Sequence, residues 1–280
     1  MANSAPVGKS ALRNVLLFGA TGQTGQAIVE LLCGGKRANK YLDHESAIFK
    51  DLEASKQDSV PRKLTAITRR DFNWSLDDAN PRPFGNFHLK VETIDFEDMQ
   101  TTLSPKLQAL MQENPPIEVA FCTHGTTRSK AGSVENFIKI DKDYTLEMAR
   151  QCKAAGVKHF CLLASSNADA KSRFLYLRTK GEIIEEIKKM GFERLSVFKP
   201  NMLITQKRED SRFAESIVQC IDPFLSGIGR VTGIKSLEGI KVEDLAAAMI
   251  SNAMTSSNDS YQEFVSAPDI IALKQCKIAD

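Results

Sequence analysis

The sequence lacks the long apolar run that a membrane helix needs. Its most hydrophobic stretches, around residues 15–18 and 246–250, are far shorter than the roughly 18–20 residues that cross a bilayer. An excess of one charge is missing as well, since 37 Lys and Arg residues are balanced by 35 Asp and Glu residues, for a net charge of +2. The sequence therefore predicts no membrane span and no general attraction to nucleic acid.

Cysteine pairs and histidine clusters are also missing. The six cysteines include no C-x-x-C pair, and the four histidines show no spacing typical of metal ligands. We expect reduced, buried thiols in an intracellular protein, and no metal site.

The first 13 residues contain Lys9, Arg13 and several serines but no acidic residue. A transit peptide has this composition, yet so short a stretch is more typical of a flexible N-terminal tail, which we predict for residues 1–13. The expected location is the cytoplasm, with mitochondrial or nuclear association as alternatives.

What the sequence does contain is a regular alternation of short apolar runs and segments with helical periodicity. This order predicts an α/β fold, a Rossmann-like doubly wound parallel sheet covered on both faces. The predicted strands are residues 14–18, 64–67, 87–94, 117–122, 159–164 and 195–198. The predicted helices are residues 26–33, 99–111, 137–154, 174–190, 211–220 and 242–252.

We predict one NAD(P)-binding domain over residues 1–280 rather than two domains. Residues 34–62 are polar and irregular and are expected to be an insertion in the first crossover. The alternation of short apolar runs and helical segments becomes less regular after Pro200. Residues 201–280 are therefore expected to form a small C-terminal substrate-side lobe on the sheet.

A glycine motif lies where the first strand becomes the first helix: Gly19-x-x-Gly22-x-x-Gly25. In this context Gly19 permits a tight turn, Gly22 lets the backbone approach a diphosphate, and Gly25 lets helix and strand pack closely. The first N–H groups of the helix then hold the anionic group. The alternative is a tight turn without a ligand. The cofactor contacts predicted in this loop are Gly19, Thr21, Gly22, Gln23, Thr24 and Gly25.

The end of the second strand should contact the adenosine ribose, where an NAD-specific site carries a carboxylate. Here Arg69 and Arg70 occupy this region, and two guanidinium groups can bind a 2′-phosphate. The sequence therefore favours NADP(H). The alternative is that the two arginines are only a solvated pair on the surface. Asp71 comes one position late for the ribose role, and Asp95, just past the third strand, is the expected acceptor for the adenine amine.

Tyr176 and Lys180 are four residues apart on a predicted helix and therefore share one face. A tyrosine is a poor acid–base catalyst at neutral pH, but a nearby lysine cation favours its phenolate form. Tyr176 can then exchange a proton with a carbonyl or alcohol while a hydride moves to or from the cofactor. Ser165, at the carboxyl end of the fifth strand, is preferred over Ser166 as the hydroxyl that binds the reacting oxygen; a role as a turn residue is the alternative.

These motifs resemble short-chain dehydrogenases/reductases of the atypical type. More narrowly, four segments resemble the Tat-interacting-protein oxidoreductase group: Gly-Thr-Thr-Arg-Ser-Lys-Ala-Gly at 125–132, Asp-Lys-Asp-Tyr at 141–144, Phe-Leu-Tyr-Leu at 174–177 and Val-Phe-Lys-Pro at 197–200. The resemblance covers roughly residues 14–252, apart from the stretch 34–62.

The resemblance implies NADPH binding by the glycine loop and by Arg69 or Arg70, and catalysis by Ser165, Tyr176 and Lys180. It also implies that Gly125, Thr126, Thr127 and Arg128 line the nicotinamide end, together with Tyr176 and Lys180. Asp141 stands where many relatives have an asparagine, which argues against a proton relay through this position. The Ser165–Ser166 pair does not fall at the sequence position where the serine pair of the group usually lies.

Three functions fit these features. The first is an NADPH-dependent reductase of a small-molecule carbonyl substrate. The second is an NADPH-binding regulator or adaptor with vestigial catalysis and a protein partner, because members of the resembled group have been tied to nuclear import and transcriptional control. The third is an epimerase or dehydratase of a nucleotide sugar, which the short segment after Pro200 disfavours and which the fold alone does not exclude.

Overall fold

The computed structural model describes residues 12–35, 62–72, 74, 76, 86–204 and 239–275. Its strands are β1 (Asn14–Phe18), β2 (Arg62–Thr68), β3 (Phe87–Thr93), β4 (Val119–Cys122), β5 (His159–Leu163), β6 (Arg194–Phe198), β7 (Leu203–Ile204), β8 (Ile240–Lys241) and β9 (Tyr261–Phe264). Seven of them form one parallel sheet in the order β3-β2-β1-β4-β5-β6-β9, while β7 pairs with β8. The predicted Rossmann-like sheet is confirmed.

The helices are α1 (Gln23–Cys33), α2 (Met99–Thr102), α3 (Ser104–Met111), α4 (Arg128–Ala131), α5 (Val134–Ile138), α6 (Tyr144–Ala155), α7 (Leu175–Lys189), α8 (Val242–Met254) and α9 (Ala267–Gln275). A π-helical turn, Lys139–Asp143, joins α5 to α6. Two apolar cores result, because α1, α8 and α9 cover one face of the sheet and α2, α3, α6 and α7 cover the other.

Strand order determines where a ligand can bind. The sheet grows from β1 toward β3 on one side and from β4 toward β9 on the other, so its direction of growth reverses between β1 and β4. Phe18 and Cys122 are paired at the carboxyl ends of these two strands. In open α/β sheets the binding crevice lies outside the carboxyl ends at such a reversal.

Three helices differ from their predicted form. The single helix predicted at 99–111 is two helices, because Pro105, in the first turn of the helix that begins at Ser104, has no N–H with which to continue the previous hydrogen-bond ladder. The first helix begins three residues before the predicted start, at Gln23, so the glycine loop runs directly into it. The helix predicted at 137–154 contains the π-helical turn.

The predicted lobe at 201–280 differs most from the structure. Strand β9 extends the main sheet beside β6, with Leu195 paired to Tyr261 and Phe198 to Phe264. Helix α8 packs in the same core as α1. The segment after residue 241 is therefore part of the sheet and its cover. Three predicted features lie outside the described residues: the helix at 211–220, most of the insertion at 34–62 and most of the N-terminal tail. Within the described residues, no helix is long and apolar enough to cross a membrane.

His159 makes the stability of this fold depend on pH. The residue is 6% exposed, and its Nε2 lies 3.0 Å from Ser196 Oγ. Burial, followed by the charge of Arg194, lowers the pKa of His159 to about 3 from its usual 6.5. Between these values the unfolded chain binds a proton that the folded chain does not, so stability is lost as the pH falls through this window.

We therefore expect His159→Gln to flatten the dependence of unfolding free energy on pH between 6.5 and 4.5, by a slope that approaches about 1.4 kcal/mol per pH unit at the lower end of this range. Urea unfolding at a series of pH values measures this slope. His88→Gln, at an exposed position on β3, is the control and should leave the slope unchanged. Equal slopes for wild type and His159→Gln would contradict the prediction.

Candidate cofactor and catalytic site

The glycine loop has a backbone that only glycine fits. Gly19 has a φ of +82°, and a Cβ there would lie 2.6 Å from the backbone of Thr123 and His124. A Cβ on Gly25 would lie 2.1 Å from the carbonyl oxygen of Gly19. Both glycines are therefore required by close backbone contacts, as the motif predicted.

The loop leaves the beginning of α1 open toward the crevice. Gly22 is extended, donates its N–H to Gly19 at 2.9 Å and accepts from the Gln26 N–H at 2.8 Å. Among the described residues no side chain caps α1, and its first turn contains no acidic residue. Thr21 and Gly22 are exposed, while Thr24 and Gly25 are buried. Backbone N–H groups and the positive end of the helix dipole can hold an anionic group here.

Arg69, Arg70 and Asp95 line one open cleft of about 820 Å³. All three are exposed and follow the carboxyl ends of β2 and β3. Asp95 Oδ1 accepts the N–H of Glu97 at 2.9 Å, and Asp71 accepts the hydroxyl of Thr93 at 2.8 Å. The cleft thus brings the predicted adenosine contacts together.

An aromatic cluster that the sequence did not indicate contributes Phe96 and Tyr144 to the lining of this cleft. The ring of Phe96 is 5.6 Å from those of both His124 and Tyr144, and the Arg69 guanidinium lies 5.9 Å from the Phe96 ring centre. Tyr144 donates its hydroxyl to Glu97 at 2.5 Å. The three rings come from separate segments, so local periodicity carries no signal for them.

Tyr176 and Lys180 share one face of α7 as predicted, with Nζ 6.0 Å from the Tyr176 ring centre. Lys180 is 8% exposed, and its Nζ lies 2.5 Å from Oδ2 of the fully buried Asp141. Burial lowers the pKa of Lys180, but the charges of Asp141 and Tyr176 raise it, and the net pKa is above its ordinary value. The arrangement keeps a cation beside the phenol.

The serines after β5 have different environments. Ser165 is partly exposed, whereas Ser166 is buried and its N–H donates to the Pro200 carbonyl at 3.0 Å. The loop that follows packs closely on α7, because a Cβ on Gly181 would lie 2.1 Å from the Ala170 nitrogen. Ser165 is therefore the more accessible hydroxyl at the end of this strand.

The loop after β4 approaches Asp141 and Lys180. A Cβ on Gly125 would lie 3.1 Å from Asp141 Oδ1, and the Thr126 N–H donates to that oxygen at 2.6 Å. Thr127 caps α4 by accepting from the Lys130 N–H at 3.3 Å. The predicted site residues thus follow the carboxyl ends of neighbouring strands, or lie on α7. No group of three or more metal-ligating side chains occurs in the described ranges.

Sequence comparison identifies relatives across fungi and mammals, although no family model matches the chain. The chain is 48% identical over 221 residues to the protein fmp52, mitochondrial, of Emericella nidulans, covering 79% of this chain and 78% of that protein. Protein HTATIP2 of Rattus norvegicus is 32% identical over 197 residues, or 70% of this chain. That match spans 65% of the rat protein, just under two thirds of its length.

Solved structures share the fold at low sequence identity. MoeE5 in complex with UDP-glucuronic acid and NAD has a TM-score of 0.53 and 16% identity, covering 90% of this chain and 75% of that one. A short chain dehydrogenase family protein from Francisella tularensis has a TM-score of 0.53 and 13% identity, covering 92% of this chain and 97% of that one. At these identities the likeness shows the common fold.

Proposed function

Because this chain belongs to the atypical short-chain dehydrogenase/reductase family of the HTATIP2 and fmp52 proteins, we propose that it is an NADP(H)-dependent oxidoreductase. Its substrate class is a small carbonyl compound or the corresponding alcohol. The observation that carries the proposal is the buried Lys180 cation beside Tyr176, on the helix that follows β5. A lysine cation beside a tyrosine favours the phenolate form, which is what proton transfer by the phenol requires.

The residues present fit a nicotinamide dinucleotide. Close backbone contacts leave no room for a side chain at Gly19 or Gly25, and among the described residues no side chain caps the start of α1, so its first N–H groups are available to a diphosphate. Arg69 and Arg70 supply positive charge where the adenosine ribose would lie, and Asp95 supplies an acceptor for the adenine amine. The arginines favour a 2′-phosphate, hence NADP(H) rather than the NAD held in the MoeE5 complex.

The bound cofactor would supply or accept the hydride. Tyr176 would donate its hydroxyl proton to the substrate oxygen in reduction and accept it in oxidation. Lys180 would stabilise the phenolate that remains after donation, and its ammonium would also bind the nicotinamide ribose. Ser165 would donate a hydrogen bond to the same substrate oxygen and orient it.

The cofactor preference is tested by titrating the protein with NADPH and with NADH, followed by fluorescence. We expect NADPH to bind more tightly, and Arg69→Ala or Arg70→Ala to weaken NADPH binding by roughly 10–100-fold, as expected for a lost charge-assisted hydrogen bond. NADH binding should change little, because NADH lacks the 2′-phosphate. Arg150→Ala, at an exposed arginine on α6, is the control.

Equal weakening of both nucleotides by the arginine variants would contradict the preference for NADP(H). A folded wild type that binds neither nucleotide would contradict the proposed function itself. A screen of carbonyl compounds with NADPH then seeks the substrate. The word mitochondrial in the names of fungal relatives favours a mitochondrial association over the cytoplasm, which subcellular fractionation tests.

A further inference from the structure

We propose that Asp141 is a positioning residue that holds the Lys180 ammonium beside Tyr176 and ties it to the loop at Gly125 and Thr126. The inference rests on the proposed function, because the position of Lys180 matters for catalysis only if Tyr176 transfers a proton. The contacts that support it are all made between residues of the protein and involve neither cofactor nor substrate.

The two oxygens of the Asp141 carboxylate make different contacts, an ion pair and a hydrogen bond. Oδ2 lies 2.5 Å from Lys180 Nζ, and Oδ1 accepts the Thr126 N–H at 2.6 Å. The side chain is 0% exposed, whereas that of Lys180 is 10% exposed. A single buried carboxylate therefore joins the helix that carries Tyr176 to the loop that follows β4.

The π-helical turn Lys139–Asp143 contains Asp141. Such turns occur mostly as single insertions in α-helices, frequently at functional sites. His124 Nε2 lies 3.0 Å from the Ile140 carbonyl oxygen of this turn, and because a carbonyl only accepts, this nitrogen carries the proton. Burial, the largest cause, lowers the pKa of His124 to about 4, so the ring stays neutral. A neutral histidine thus fixes the turn next to Asp141.

Gly125 gives independent evidence that the loop packs tightly against the Asp141–Lys180 ion pair. A Cβ at this position would lie 3.1 Å from Asp141 Oδ1 and 3.3 Å from Lys180 Nζ. Both distances are tighter than ordinary van der Waals contact, so any side chain would crowd the ion pair. The absence of a side chain lets the loop reach the carboxylate.

The charges around Lys180 explain why a carboxylate is needed. The groups that act on it are Asp141 from the π-helical turn, Tyr176 on the same helix and Cys122 from β4. Burial raises the pKa of Cys122 to about 12, so this thiol stays neutral. Burial of an amine favours its neutral form, and the Asp141 carboxylate is the first of the opposing charges. Without Asp141 the lysine would lose its main counter-ion.

Asp141→Asn separates the two contacts, because asparagine keeps an oxygen for Thr126 but has no charge for Lys180. Lysine labelled with ¹³C is titrated by NMR, with the Lys180 signal assigned from Lys180→Met. We expect the Lys180 midpoint, which in wild type is raised above the ordinary lysine value, to fall by about 1–3 pH units in Asp141→Asn. Amide hydrogen exchange at Thr126 should stay slow in Asp141→Asn and become fast in Asp141→Leu.

The matched control is Glu182→Gln. Glu182 pairs with Lys142 at 2.6 Å and joins the same two elements, α7 and the π-helical turn, at the surface. This variant should leave both the Lys180 midpoint and Thr126 exchange unchanged. If it moves them as Asp141→Asn does, or if Asp141→Asn leaves the midpoint unchanged, the proposal is wrong.

A variant that does not fold still gives an answer. If Asp141→Asn unfolds because Lys180 is left buried without a counter-ion, the double variant with Lys180→Met should fold again. Failure of the double variant to regain stability would overturn the proposed ion pair. These readouts need neither cofactor nor substrate, so they stand apart from the proposed function, whose own failure is an absence of NADPH binding. Where turnover is found, Asp141→Asn should lower kcat by a larger factor than it changes KM, and it should shift the pH–rate profile.

Discussion

Replacing Gly25 with alanine is expected to abolish NADPH binding and to destabilise the protein. In an open helix this change would stabilise by about 1 kcal/mol, because alanine has the higher helix propensity. Here the new Cβ would lie 2.1 Å from the Gly19 oxygen and 2.8 Å from the Ala20 Cα. These are backbone atoms that cannot rotate away, and such overpacking costs about 1–3 kcal/mol or more. Steric clash therefore outweighs propensity.

The displaced turn no longer presents its N–H groups to a diphosphate, so we expect affinity for NADPH to fall by more than about 100-fold, the loss of two or more charge-assisted hydrogen bonds. Thermal unfolding and fluorescence titration measure both effects. Gly191→Ala is the control, because no atom of the described residues lies within 4 Å of where its Cβ would be, and only its φ of +67° opposes the change. Wild-type affinity in Gly25→Ala would show that the loop does not hold the cofactor.

Replacing Tyr176 with phenylalanine is expected to lower turnover by about 10²–10⁴-fold, the usual contribution of a general acid–base group. Cofactor affinity should remain close to that of wild type, because the ring and its contact with Phe137 at 6.0 Å are kept. Steady-state kinetics with a substrate from the carbonyl screen, together with NADPH titration, separates the two effects. Lys180 remains in place beside the altered ring.

Tyr261→Phe is the matched control for this change. It removes a hydroxyl that donates to Glu263 on β9, outside the proposed site, and should leave turnover unchanged. Turnover of Tyr176→Phe within a few-fold of wild type would remove Tyr176 from the mechanism. NADPH binding by wild type without turnover of any carbonyl compound would instead support a regulatory or adaptor protein.

Much of the candidate site could be predicted because its signals are local. The glycine loop depends on three residues within one turn, and Tyr176 and Lys180 on the repeat of a single helix. The resemblance to the Tat-interacting-protein group is confirmed by relatives such as HTATIP2 and fmp52. The sequence marks Asp141 only as a departure from asparagine, since nothing in its neighbours along the chain indicates an ion pair with Lys180.

The sequence by itself determined the α/β order, the glycine turn and the Tyr–Lys face of α7, because each follows from backbone geometry over a few residues. Only the tertiary structure decided that β9 joins the main sheet, since this edge strand is partly exposed and has no continuous apolar run. It alone also decided that Arg69 lies over Phe96 and that the π-helical turn brings Asp141 to Lys180. Such contacts join residues far apart in the chain, whose meeting depends on the packing of whole elements.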